Sequence, residues 1–201
     1  MPTLVSNVPE FPLPLIPPRK RWTREQCADL EASGLFEKER LELVDGELIS
    51  KMGQNRPHVN AFTLMHLWLL EAFGKQFVNA EAPIDVSEAD DPTNEPEPDL
   101  IVLKRKFTAF ASGNPHPRDI DLVVEIADST LTFDLTTKAA LYARAGIVEY
   151  WVLDVTGRRL FSHRNPVSGR YSEVAIYNEH EPIVPIAAPA VEFRPAQAFV
   201  G

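Results

Sequence analysis

The 201-residue chain carries a single cysteine, Cys27. No disulfide can form within it, which excludes a disulfide-stapled scaffold and suits a reducing, cytoplasmic setting. Long apolar runs are also missing. The nearest approach to a membrane span, residues 61–73, is interrupted by His66 and Glu71 and falls short of the ~20 residues that cross a bilayer. No basic start followed by an apolar core opens the chain, so no signal peptide is read. Positive charge is in the minority as well, with 20 Lys and Arg against 29 Asp and Glu for a net charge of −9. Taken alone, that balance argues against a nucleic-acid partner.

The distribution of charge weakens that exclusion. Residues 81–99 hold eight acids and no Lys, Arg or His, so the remainder of the chain is close to neutral. Basic residues cluster at Arg19, Lys20, Arg21 and Arg24, at Lys104, Arg105 and Lys106, and in the four arginines of residues 155–172, a stretch without an acid. Solvated surface charge accounts for such clusters, and so does a polyanion partner. Proline is abundant, 18 in all with six in the first 18 residues, which marks residues 1–18 as an extended arm and residues 19–201 as one domain.

Several elements can be read from local chemistry. Thr23 and Gln26 form a capping-box pattern that starts a helix ending near Gly34. Alternating apolar residues around Asp45-Gly46 predict a hairpin in which Val44 pairs with Glu47 and Glu42 with Ile49. Glu42 and Glu47 then share a face. A helix over residues 55–73 follows, with Pro57 in its first turn, Gly74 at its end, and Val59, Phe62, Leu69, Leu70 and Phe73 toward the sheet. One or two strands are expected within residues 77–86, then short strands at 99–103 and 120–127. Residues 131–145 read as a helix closed by Gly146, and 149–154 as a strand. Strand, helix and strand at this spacing form a parallel βαβ unit. Residues 159–163 and 170–177 read as an antiparallel edge hairpin. The sum is an α/β fold, a mixed sheet with helices packed on it.

Three polar residues occupy positions where packing alone favours apolar ones. Glu125 lies inside Leu122-Val-Val-Glu-Ile126, and a lone buried carboxylate there must be paired, metal-bound or protonated. At ~100° per residue, Leu131, Leu135, Lys138, Tyr142 and Ala145 fall along one stripe, which points Lys138 at the sheet. Asp99 opens a strand after Pro98. Two carboxylates and an inward lysine, without cysteine or paired histidines, suit Mg²⁺ or Mn²⁺. The same residues also satisfy a simpler arrangement, a structural Glu125–Lys138 ion pair with Asp99 capping a turn. Asp134, four residues before Lys138, equally suits a surface helix pair.

Pro98-Asp99, Val-Val-Glu125, Asp134 with Lys138 and Tyr142, and Gly146-Ile-Val-Glu-Tyr-Trp-Val-Leu-Asp154 resemble the Uma-two family of restriction-endonuclease-like proteins, within the PD-(D/E)XK nuclease superfamily. Leu41-Glu-Leu-Val-Asp-Gly-Glu47 and His58 match in order and spacing, so the resemblance runs from about residue 41 to 177. It implies a restriction-endonuclease-like core and a Mg²⁺- or Mn²⁺-dependent endonuclease acting on DNA. Asp99 and Glu125 would bind the metal, with Glu42 as a further acid beside it. The superfamily places a lysine two residues after the second acid, where this chain has Ala127. The resemblance therefore moves the lysine's role to Lys138. His58 would meet a phosphate or a ligand carboxylate, and Glu42 is favoured over Glu47 on the match alone. Cutting both strands would call for a homodimer, with backbone contacts from the arginines after Val155. The rival readings are an inactive nuclease fold serving as a binding or assembly module, and a hydrolase of small phosphorylated ligands. His66, Trp68, Tyr150 and Trp151 are read as core, and Ser129 and Thr130 as helix caps.

Overall fold

The computed structural model describes residues 19–37, 39–51 and 55–200; the proline-rich arm at 1–18 lies outside them. Helix α1 (Arg24–Ala32) opens on the expected capping box, in which Thr23 accepts from the Gln26 amide and Gln26 from the Thr23 amide. Strands β1 (Leu41–Val44) and β2 (Glu47–Ser50) form a separate two-stranded sheet with the expected register. Both turn residues lie in the left-handed region, Asp45 at φ 48° and Gly46 at φ 73°, as a two-residue turn of this hand requires.

Helix α2 (Arg56–Phe73) starts at Asn55, whose side chain accepts from the His58 amide, and stops at Gly74. Of the residues expected toward the sheet, Phe62, Leu69, Leu70 and Phe73 pack on the core and Val59 does not. Ala61, Met65 and Leu69 form the centre of the helix's buried face, flanked by Phe62, Trp68, Leu70 and Phe73. The small Ala61 and unbranched Met65 allow close approach to the sheet, which a wheel drawn through the bulkiest residues misplaces.

The main sheet contains β3 (Val78–Ala80), β4 (Leu100–Leu103), β5 (Ile120–Ala127), β6 (Glu149–Asp154), β7 (Arg159–Val167) and β8 (Arg170–Asn178), adjacent in that order. Only β5 and β6 are parallel, joined by the helix over residues 131–145 as the βαβ unit anticipated. The edge hairpin is longer than expected and turns at Ser168-Gly169. Residues 77–86 yield only the three-residue β3.

Helix α3 is α-helical at Leu131–Phe133, π-helical over Asp134–Lys138 and α-helical again over Ala139–Ala145. The wide central turn was not foreseen. Its Ala139 amide donates to the Asp134 carbonyl, five residues back, and such insertions concentrate at functional sites.

Side-chain alternation assigns the two faces of the sheet. Leu100, Val102, Leu122, Val124, Trp151 and Leu153 pack under α2, whereas Ile101, Leu103, Val123, Ala127, Tyr150 and Val152 pack under α3. Asp99 and Glu125 share the parity of the second set. The β4–β5 register pairs Leu100 with Val124, so one step outward sets Asp99 opposite Glu125 on the α3 face.

The acidic loop is stitched to its neighbours. Arg24 pairs with Asp85, Asp91 and Glu95, and Arg144 with Asp90 and Asp45. Backbone bonds join Gly46 to Thr93 and Leu43 to Glu95, which seats the β1–β2 hairpin against the main body. A Cβ on Gly46 would come within 2.8 Å of the Arg21 Cβ, at a positive φ. Gly46→Ala is expected to destabilise the protein by about 1–3 kcal/mol in urea unfolding. A change under about 0.5 kcal/mol would show that this turn does not anchor the hairpin.

Candidate active site

A cleft of about 110 Å³ opens where the β1–β2 hairpin, the start of α2, the ends of β4 and β5, and the first turns of α3 converge. Glu42, Asp99, Glu125, Lys138, Lys51 and His58 all line it. Glu42, Asp99, Glu125 and Lys138, the side chains singled out in the sequence, are each at most 5% exposed. Glu47 is not among them, and pairs with Arg19 at the surface. The two glutamates share a face of the hairpin as the register requires, but Glu42 is buried at the cleft while Glu47, beside the turn, is exposed.

Lys138 is the hub. Its Nζ donates to Glu125 Oε1 and lies equally close to Glu42 Oε1, both at 2.9 Å. Tyr142, one turn on, donates its hydroxyl to the same Glu125 oxygen at 2.9 Å. Glu42 Oε2 accepts from the Glu97 amide at 3.0 Å. Burial opposes the Lys138 charge, but the carboxylates of Glu125, Glu42 and Asp134 outweigh it and hold the ammonium protonated well above the ordinary lysine range. As arranged, Lys138 can orient a water but cannot take its proton. Burial and the Glu125 charge likewise keep the Tyr142 hydroxyl neutral, as a donor.

Asp99 and Glu125 are linked through backbone. Asp99 Oδ2 accepts from the Ile126 amide at 2.7 Å, and the Asp99 amide makes a long 3.4 Å contact with Glu125 Oε2. Asp99 Oδ1 has Lys51 Nζ at 3.7 Å. Among the described residues, Asp99 Oδ1 and Glu125 Oε2 thus carry no short hydrogen bond. His58 places Nε2 3.9 Å from Asp99 Oδ2, while its buried Nδ1 has no hydrogen-bond partner among the described residues.

Asp134 is not a surface helix residue. It is buried on the π-helical turn and accepts from Thr130 Oγ1 at 2.6 Å. Thr130 therefore braces a site carboxyl rather than capping α3 with its side chain. Desolvation, then the Glu125 charge, raises the Asp134 pKa from 3.8 to about 7, against the opposing pull of Lys138.

Four buried carboxyl groups, Glu42, Asp99, Glu125 and Asp134, face one buried ammonium, with Lys51 at the cleft as a second. The site is short of positive charge, and two of its carboxylate oxygens have unused lone pairs. That donor set fits Mg²⁺ or Mn²⁺, which bind through one or two carboxylates and keep several waters. Among the described residues, no three His, Cys, Asp or Glu side chains gather into a closed metal cage.

Sequence reading missed Lys51, although a signal was available. Ile49 pairs with Glu42, and the Lys51 amide bonds to the Arg40 carbonyl, so alternation along β2 sends Lys51 to Glu42's face. Of the four arginines in residues 155–172, three are ion-paired and Arg170 is exposed. Arg159 is held by buried Asp154, Arg164 by buried Glu149, and Arg158 by Glu179. Trp68 and Trp151 stack in the core with Phe193, and Tyr150 is fully buried. His66 packs edge-on to Phe62.

With this geometry in place, comparison with known proteins is informative. Residues 24–196 match the model of the Uma2 family, described as "Putative restriction endonuclease", and the chain belongs to that family. A crystal structure of a putative nuclease belonging to DUF820, from Anabaena variabilis, has a similar fold. Its TM-score is 0.61 at 16% identity, over 81% of this chain and 90% of that one. No curated protein matches. Among the described residues, no helix is long and apolar enough to cross a membrane.

Two measurements test the electrostatics of the cleft. Because Asp134 holds its proton more tightly when folded, stability falls as pH rises from about 4 to about 7, by as much as ~4 kcal/mol. The advantage of Asp134→Asn over wild type should therefore grow across that window, and a difference constant from pH 4 to 8 would contradict the assignment. Lys138→Met leaves two buried carboxylates without their cation and should cost about 3–5 kcal/mol in chemical denaturation. A loss below about 1 kcal/mol would show that Lys138 is not the hub.

Proposed function

We propose that this protein is a divalent-metal-dependent endonuclease that hydrolyses DNA phosphodiester bonds. The observation that carries the reading is the pairing of Asp99 with Glu125 across β4 and β5 at the mouth of a cleft short of positive charge. Each keeps one oxygen without a short hydrogen bond among the described residues. These two residues would hold Mg²⁺ or Mn²⁺. When bound, such a cation lowers the pKa of water and polarises a phosphoryl oxygen.

The remaining side chains set the stage for that chemistry. Lys138 and Tyr142 fix Glu125 Oε1, leaving Oε2 to face the cleft. Lys138 spends two of its three N–H groups on Glu125 and Glu42, so the third can orient the attacking water. Glu42 sits one bond from this network and can accept a proton from that water. His58 can donate to a phosphate oxygen through Nε2. With Arg158, Arg159 and Arg164 engaged in ion pairs, contact with the polyanion falls chiefly to the cleft itself and the start of α2. Two copies would be needed to cut both strands at one place.

A non-catalytic binding module is the second reading, favoured by an ion-pair hub that is complete without a metal. Incubation of supercoiled plasmid with Mn²⁺ separates the two. Wild type should nick the DNA, Asp99→Ala and Glu125→Gln should each reduce nicking by at least about a hundredfold, and Glu125→Gln should lose the rise in melting temperature that Mn²⁺ confers on wild type. Equal nicking by all three proteins, or no Mn²⁺ shift in wild type, would sink the endonuclease reading.

A further inference from the structure

The site contains two lysines in contrasting states. Lys138 is held in place, with its ammonium 2.9 Å from both Glu125 and Glu42. Lys51 enters from the end of β2 with its stem buried, its side chain 10% exposed. It donates to the Glu97 carbonyl and holds Asp99 Oδ1 only at 3.7 Å. It lines the cleft beside His58. Lys51 and His58 thus flank the two oxygens of Asp99, at 3.7 and 3.9 Å, and neither makes a short bond there. A charged group parked near a carboxylate without a close contact is free to move to a stronger anionic partner.

From this contrast we infer that Lys51, not Lys138, is the lysine that meets the substrate, donating to a non-bridging oxygen of the scissile phosphodiester. The inference rests on the endonuclease reading above and assigns a specific contact within it. An ammonium on a short swing from Asp99 supplies positive charge where the phosphoryl group gathers negative charge on the way to its transition state. No bond to Lys51 forms or breaks; it remains an ammonium throughout, and its gain is greater in the transition state than in the ground state. Before DNA arrives, the same ammonium neutralises Asp99 Oδ1 and so competes with a cation for that oxygen.

This dual position makes an unusual prediction for Lys51→Gln. Removing the charge should slow plasmid nicking at saturating Mn²⁺ by about tenfold or more. It should also lower, by about threefold, the Mn²⁺ concentration that gives half the maximal thermal shift, because the metal no longer competes with an ammonium. A residue that only supports the fold would weaken both. Lys51→Arg, which keeps charge and stem, should hold the Mn²⁺ midpoint near wild type and restore part of the rate, and it guards against a folding defect in the glutamine variant. Lys51→Gln nicking within twofold of wild type, or a Mn²⁺ midpoint unchanged or raised, overturns the assignment while leaving the endonuclease reading intact. If wild type neither shifts with Mn²⁺ nor nicks DNA, both readings fall together.

Discussion

One buried ammonium organises this site. Lys138 reaches from α3 to Glu125 on β5 and Glu42 on β1 at the same 2.9 Å, tying the crossover helix, the central sheet and the separate hairpin together. Without it, two carboxylates from different sheets would be forced close together in a poorly solvated cleft, and one would have to take up a proton. With it, they share a counter-ion, and Asp99 completes the group through the β4–β5 register. Replacement of Lys138, Glu125 and Glu42 together by well-packed apolar residues could yield a stable protein, since buried ion pairs are seldom the most stable solution. The retained cost is consistent with a site kept for its chemistry.

Charge placement explains why so acidic a chain can have a pocket for an anionic substrate. Much of the acidic loop is internally neutralised, through Arg24 to Asp85, Asp91 and Glu95 and through Arg144 to Asp90. Its far end delivers Asp99 to the cleft. Other ion pairs, to Glu179, Asp154 and Glu149, engage Arg158, Arg159 and Arg164, three of the four arginines in residues 155–172. The proposed contacts with a phosphodiester are local: Lys51, His58 and the cation that Asp99 and Glu125 would hold. In the proposed function, a bound metal would neutralise the excess carboxylates and give the cleft affinity for phosphate.

Much of the fold was legible because its signals are local. Asp45-Gly46 set the hairpin register, Thr23 and Gln26 the start of α1, and the apolar run around Glu125 the central strand, all as observed. The oddity of Lys138 on an apolar stripe correctly pointed its side chain at the sheet, where it meets Glu125, because a helical wheel reports direction even when it cannot name the partner. Other features depend on what lies across the fold. The π-helical turn that buries Asp134 has no composition of its own, and Asp134 four residues before Lys138 reads in sequence as an exposed pair. Lys51 was lost because a lysine just past a strand end usually faces solvent. The choice between Glu42 and Glu47 was settled by packing of the hairpin on the acidic loop, a long-range contact.

The central claim is that Asp99 and Glu125, held by the Lys138 hub, form the seat of a divalent cation. Anomalous diffraction from crystals soaked in Mn²⁺ tests it most directly. The account requires a manganese peak bonded to both an Asp99 and a Glu125 oxygen, at about 2.1–2.3 Å, with Lys138 still bridging Glu125 and Glu42. A peak elsewhere, or none at saturating Mn²⁺, would contradict it and leave the cluster as an ion-pair lock within the fold.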